Sequence, residues 1–133
     1  MRVSLSTGMT KINSFRDLTV WQVSIDLADV CFDIVEAIPY PYKFTFANQL
    51  IPAGISIPSN IAEGSRRPTK AYLNHLSYSL GSHGEVDTLF ELIHRRKLVP
   101  DPLLSKGILL LDPIGKMLHG LEESLEARLN ANA

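Results

Sequence analysis

Two glutamates stand where carboxylates are uncommon. Glu63 closes the run Ser56-Ile57-Pro58-Ser59-Asn60-Ile61-Ala62-Glu63-Gly64, and Glu85 follows Gly81-Ser82-His83-Gly84. Paired carboxylates in apolar or small-residue surroundings suit general acid–base work or a hard metal ion. The same two residues also serve as charges satisfied by serine, asparagine, arginine or backbone groups at helix ends. That structural role is the one expected here. Ser59 and Asn60 are expected to bond backbone freed by Pro58, or a neighbouring subunit. No Gly-Xaa-Ser-Xaa-Gly elbow is present to expose a serine nucleophile.

The histidines are His75, His83, His94 and His119. His83 and His94 share a helix face but stand about three turns apart, too far to hold one ion. No metal site and no cofactor is expected. No set of residues assembles a nucleophile, a base and a stabiliser, so no enzyme is expected either.

The basic residues cluster. Arg66, Arg67 and Lys70 lie near the start of a helical segment, and Arg95, Arg96 and Lys97 lie near its end. Cations at a helix C-terminus complement its negative pole, which accounts for the second group. Cations at an N-terminus have the unfavourable sign. Arg66 and Arg67 are therefore the stronger candidates for phosphate, or for acidic groups on a partner, with a solvated or ion-paired loop as the alternative. In a ring of subunits such charges repeat and add to a strong local field even at a net charge near zero.

The chain of 133 residues carries a net charge of −1. That length suits one domain with its own core. The charge balance gives no support for wholesale nucleic-acid binding. A single cysteine, Cys31, excludes a disulfide framework and a multi-cysteine zinc site, and fits a reducing, cytoplasmic setting. No apolar stretch approaches the roughly 20 residues of a membrane span. Residues 1–14 lack any pattern and are expected to form a flexible segment ahead of a domain over residues 15–130.

Four helical segments must position these groups. Thr19 and Gln22 fit a capping box for a first helix over about Val20 to Ala37. On a helical wheel Gln22, Asp26, Asp29, Asp33 and Glu36 form a narrow polar stripe, expected to face water. Trp21, Ile25, Ala28, Phe32 and Val35 form one apolar stripe, and Val20, Val23, Leu27, Val30 and Ile34 another. Together these cover roughly 220° of the wheel, against the ~100° that one core requires. The excess predicts a second packing partner, most simply another copy of the chain. Trp21 and Phe32 are the expected anchors.

A second helix is expected from about Lys43 to Glu63, with Gly64 in a left-handed position just past its end. Pro52 and Pro58 lie within it. A bend or break near Gln49 to Ala53 follows, with Pro52 opening a new helix as the alternative. Thr69 is the expected cap of a third helix, over about Lys70 to Arg96. Its apolar stripe is Tyr72, Leu76, Val86, Phe90 and Ile93. Ser77, Gly81, Gly84 and Thr88 form a second stripe whose small residues suggest close approach of a neighbouring helix. Asp101-Pro102 opens a fourth helix as cap and first residue. Leu104, Leu111, Ile114, Leu118, Leu121 and Leu125 supply its seam, and Pro113 is expected to kink it. The sum is an all-α, antiparallel up-down four-helix bundle, kinked near Pro52/Pro58 and Pro113.

Three motifs carry a resemblance. Phe15-Arg16-Asp17-Leu18-Thr19-Val20-Trp21-Gln22 resembles the opening of the four helix bundle protein family, also known as 23S rRNA intervening-sequence proteins or ribosomal-protein-like. Ser56 to Gly64 resembles that family's central motif. Leu76-Ser77-Tyr78-Ser79-Leu80-Gly81-Ser82, with Glu85, Asp87 and Thr88, resembles its third. The resemblance spans roughly residues 15 to 127. It implies a bacterial, cytosolic, up-down bundle that assembles as a homopentamer, with no established enzyme activity. A relative is an accessory to a reverse transcriptase and binds nucleic acid. Where members commonly carry basic residues before the central motif, this chain has Ile51-Pro52.

The function expected is a non-enzymatic homo-oligomer that binds structured RNA or a nucleoprotein through Arg66, Arg67, Lys70, Arg95, Arg96 and Lys97. A purely protein-binding or structural ring is the alternative. Trp21, Ile25, Phe32, Pro58, Asn60, Glu63, Gly81 and Glu85 are the expected packing residues of core or subunit contacts. No membrane association is expected.

Overall fold

The computed structural model describes residues 14–132. The flexible segment expected over residues 1–14 lies outside them, apart from Ser14. A single 3₁₀ turn, Phe15–Asp17, precedes four helices: α1 Thr19–Ala37, α2 Tyr40–Ser65, α3 Thr69–Arg95 and α4 Asp101–Ala131. Short connections make successive helices antiparallel. Each helix packs on its two neighbours, α1 on α2 and α4, and α3 on α2 and α4. Among the described residues there is no strand.

Several helix ends differ from expectation. Thr19 is the first residue of α1, and no side chain caps it. The capping box is instead that of Ser14 and Asp17, which caps the 3₁₀ turn. Gln22 reaches back further than a capping glutamine, donating from Nε2 to the Arg16 carbonyl at 2.7 Å. Thr69 and Asp101 likewise lie inside their helices, with Pro68 and Pro100 before them. In each case the proline's φ is fixed by its ring and its ψ, 157° at Pro68 and 137° at Pro100, is extended, so no side-chain cap is needed to set the direction. Gly64 does not terminate α2. It is buried within the last turn, where a Cβ would stand 2.8 Å from His75 Cβ and from Tyr72 Cδ1. Here glycine admits α3 close to α2, and the φ of its own backbone is not the reason.

No break occurs between Gln49 and Ala53. α2 runs unbroken through Pro52 and Pro58, and α4 through Pro113. Kinks at these prolines are not shown. Each proline costs one helical hydrogen bond, and packing along the remaining turns carries the helix past it.

The core is apolar. Leu27, Cys31 and Ile34 of α1, Leu50, Ile57 and Ile61 of α2, Leu76, Val86, Phe90 and Ile93 of α3, and Leu104, Ile114 and Leu118 of α4 are sealed from solvent. The expected seam of α4 is buried apart from Leu121, which is half-buried. Two glycines outside the expected stripe bring helices together. Gly54 lies against Cys31, and Gly107 against Phe90. The stripe Ser77, Gly81, Gly84 and Thr88 is instead exposed, and a Cβ on Gly81 or Gly84 would meet nothing within 4 Å. Within the chain no helix approaches it.

The connection from α3 to α4 turns at Lys97, which has a positive φ of 52°. Leu98 N–H returns to the Ile93 carbonyl at 3.1 Å, closing the last turn of α3. This is the left-handed exit that glycine usually supplies.

Candidate functional site

The two basic clusters sit at opposite ends of α3. A helix of 27 residues is about 40 Å long, so no compact site holds both. Arg66, Arg67 and Lys70 are exposed at the end where α2 hands over to α3. Arg95, Arg96 and Lys97 are exposed at the other end. Arg67 pairs with Glu63 at 3.2 Å, and Arg95 with Glu91 at 2.8 Å, both one helical turn away and both open to water. Solvent screening leaves such exposed pairs little weight in stability. Arg66, Lys70, Arg96 and Lys97 are in none of the ion pairs among the described residues.

The first end carries more than the sequence pattern disclosed. Arg16 places its guanidinium 5.7 Å from the Phe15 ring centre and 5.3 Å from that of Trp21. Arg66 approaches the same Phe15 ring at 5.8 Å. Phe15 and Trp21 meet edge to face at 5.2 Å. Arg128, from the last turns of α4, lies near Tyr72 of α3. Burial pushes the Tyr72 hydroxyl above its ordinary pKa, and the Arg128 charge offsets part of that. Arg16 and Arg128 thus join Arg66, Arg67 and Lys70 at one pole. Neither was legible as a member, because residues 16, 66 and 128 meet only in the folded bundle.

Glu63 and Glu85 are not brought together and neither is buried. Glu63 holds Arg67, whereas Glu85 lies roughly 24 Å along α3 from its first residue. Both are solvated carboxylates, and they form no pair for acid–base work. Glu91 and His94 form a Glu-Xaa-Xaa-His spacing that the sequence reading overlooked. Among the described residues no group of three His, Cys, Asp or Glu side chains is placed to hold a metal ion.

Asn60 does not bond Gly54, whose carbonyl is the one Pro58 deprives of a donor. Its Nδ2 donates to the Ser56 carbonyl at 3.0 Å and to Ser56 Oγ at 3.1 Å. Its Oδ1 faces His75 Nδ1 of α3 at 2.9 Å. Ser82 Oγ donates to Ser56 Oγ at 2.9 Å, and buried Ser79 donates to the Ile57 carbonyl at 2.9 Å. Ser59 is exposed. The serine and asparagine of the central motif thus link α2 to α3. Farther along, His83 Nε2 lies 2.6 Å from the Leu111 carbonyl and ties α3 to α4. Its ring fits because residue 115 is glycine, where a Cβ would stand 3.2 Å from it.

A second surface is apolar. The acidic stripe of α1 is exposed throughout, as expected. Beside it Ile25 is 40% and Phe32 48% exposed, and Ile55 of the neighbouring α2 is 42% exposed. Trp21 is half-buried within the chain. Pro58 is buried within the chain, and Asn60 is half-buried. A Cβ on Gly81 would meet nothing within 4 Å in the chain. No helix is long and apolar enough to cross a membrane among the described residues.

No curated protein matches the chain. A family model does, over residues 16–120, described as 23S rRNA-intervening sequence protein. That span begins at Arg16, covers the second and third motifs, the first apart from Phe15, and all of α1 to α3, and reaches well into α4. A match over most of the chain, on a fold of four packed helices, places this protein in the 23S rRNA-intervening sequence protein family.

Proposed function

We propose that the protein is a non-enzymatic, cytoplasmic homo-oligomer of bacterial origin, five-membered as in the relatives it resembles, that binds structured RNA or a nucleoprotein. The observation that carries the RNA reading is the basic pole. Arg16, Arg66, Lys70 and Arg128 are exposed there without ion-pair partners among the described residues, and Arg67 adjoins them. The family description, which names an rRNA intervening sequence, points the same way. The Arg95 to Lys97 cluster is a second contact region at the far pole.

A mobility-shift assay with structured RNA at two salt concentrations tests this. Binding should weaken steeply as salt rises, because phosphate contacts release counterions. Reversing charge at Arg66 and Arg67 together should abolish retention. Salt-insensitive binding, or none at low salt, overturns the RNA reading.

A purely protein-binding or structural ring is the second reading. The exposed Ile25, Phe32 and Ile55 and the net charge of −1 favour it. Under that reading the double charge reversal leaves the assembly intact, and no RNA is retained by the parent protein.

A further inference from the structure

We infer that Phe15 holds Arg16 and Arg66 as a two-arginine clamp for the phosphodiester backbone of RNA. The inference rests on the RNA reading above and assigns its contact to particular atoms. Two guanidinium groups from distant parts of the sequence approach one phenyl ring, at 5.7 Å and 5.8 Å from its centre. Neither is in an ion pair among the described residues. Asp17, next in sequence, directs Oδ2 to the Ser14 N–H at 3.3 Å. Two cations near one ring repel each other to a degree set by their separation, and the ring offsets part of that. An oxyanion held by both would offset that repulsion and be gripped by their planar N–H forks.

The backbone beneath is fixed in advance. Arg16 N–H donates to Ser14 Oγ at 3.1 Å, and the Arg16 carbonyl accepts from Gln22 at 2.7 Å. Phe15 is braced by Trp21. Arg66 closes α2, with its N–H directed to the Glu63 carbonyl at 3.3 Å. An arginine held in place loses less freedom on binding than one that waves in solvent. A hydrophobic staple for the 3₁₀ turn would require Phe15 and Trp21 alone; it would not require two arginines, in no ion pair among the described residues, beside them.

The test uses the full chain and a fluorescein-labelled oligouridine, followed by anisotropy across a salt series. Arg16→Gln and Arg66→Gln should each reduce the salt slope by about 0.7, the value of one phosphate contact on a single strand. Phe15→Leu changes no charge, yet should weaken binding about fivefold or more, since two cation–π contacts are lost. Phe15→Tyr keeps the ring and should keep the affinity. Trp21 is the sole tryptophan, so its emission should change on adding oligouridine to the parent and not to Arg16→Gln.

If Phe15→Leu binds as the parent does and Arg16→Gln leaves the slope unchanged, the clamp is wrong. Loss of retention on reversing Arg66 and Arg67 would still uphold the RNA reading in that case. If the parent itself retains no oligouridine and no structured RNA at low salt, both fail. Should Phe15→Leu lower the melting temperature, the slope of the exposed Arg16→Gln decides.

Discussion

The ring of Phe90 lies where a side chain on residue 107 would begin. A Cβ on Gly107 would stand 2.7 Å from Phe90 Cε2 and Cζ, and 3.3 Å from Ile34 Cδ1. Phe90 is 1% exposed and has nowhere to retreat. Gly107→Ala is therefore expected to destabilise the bundle by about 1–3 kcal/mol through overpacking. Urea denaturation measures it. Phe90→Leu in the same chain should recover part of the loss, because the two positions share one contact.

Gly81 and Gly84 present the opposite case. Their Cβ positions are open, in the middle of an exposed helix face. Alanine at either should stabilise α3 by roughly 0.5–1 kcal/mol. A lower melting temperature for Gly81→Ala would mean that another copy of the chain covers this face.

Ser24 is sealed from solvent, and its hydroxyl has no hydrogen-bond partner among the described residues. An unpaired buried hydroxyl costs about 1–3 kcal/mol. Ser24→Ala should raise stability by about 1 kcal/mol, read as a shift of the urea midpoint at unchanged slope.

Cys31 is fully buried, and burial pushes its thiol up from 9.0 to about 12. At pH 8 the folded protein should resist alkylation, and modification should follow unfolding. The raised value also sets a stability window. Below pH 9 both folded and unfolded thiols keep the proton, and the contribution is complete. Between about 9 and 12 the unfolded thiol ionises first, so stability falls as pH rises. Cys31→Ala should remove that alkaline slope.

Phe32 stands 48% exposed beside Ile25 on α1. If this flank joins copies of the chain, Phe32→Lys should lower the mass seen by light scattering toward the 14.8 kDa of one chain. Helicity should be unchanged, since Phe32 contributes little to the chain's own core. An unaltered particle mass would assign the contact to another face.

Helical periodicity made much of the bundle readable. The stripes of α3 and α4 that the spacing picks out are the ones that meet the core, because a 3.6-residue repeat of large apolar side chains has few other uses. Helix ends were less readable. Thr19, Thr69 and Asp101 have the side chains of caps, yet each follows a residue already extended, so the helix starts one residue early. Small residues were less readable still. Gly81 and Gly84 form the obvious stripe, yet within the chain a Cβ on either meets nothing; Gly54 and Gly107 look incidental, Gly64 reads as a helix end, and all three admit neighbouring helices. Composition shows that a residue is small; only the partner's position shows what its smallness accommodates. The basic pole was half legible for the same reason. Arg66 and Arg67 are adjacent in the chain, while Arg16 and Arg128 arrive there by folding.

A rod of helix separates the Arg66 pole from the Arg96 pole, and about 40 Å exceeds several Debye lengths at physiological salt. Neither end senses the other's charge. Substitutions at the two termini of α3 should then combine as independent free energies, with no coupling in a double-mutant cycle. The molecule carries two separate electrostatic addresses, and each can be rewritten without disturbing the other.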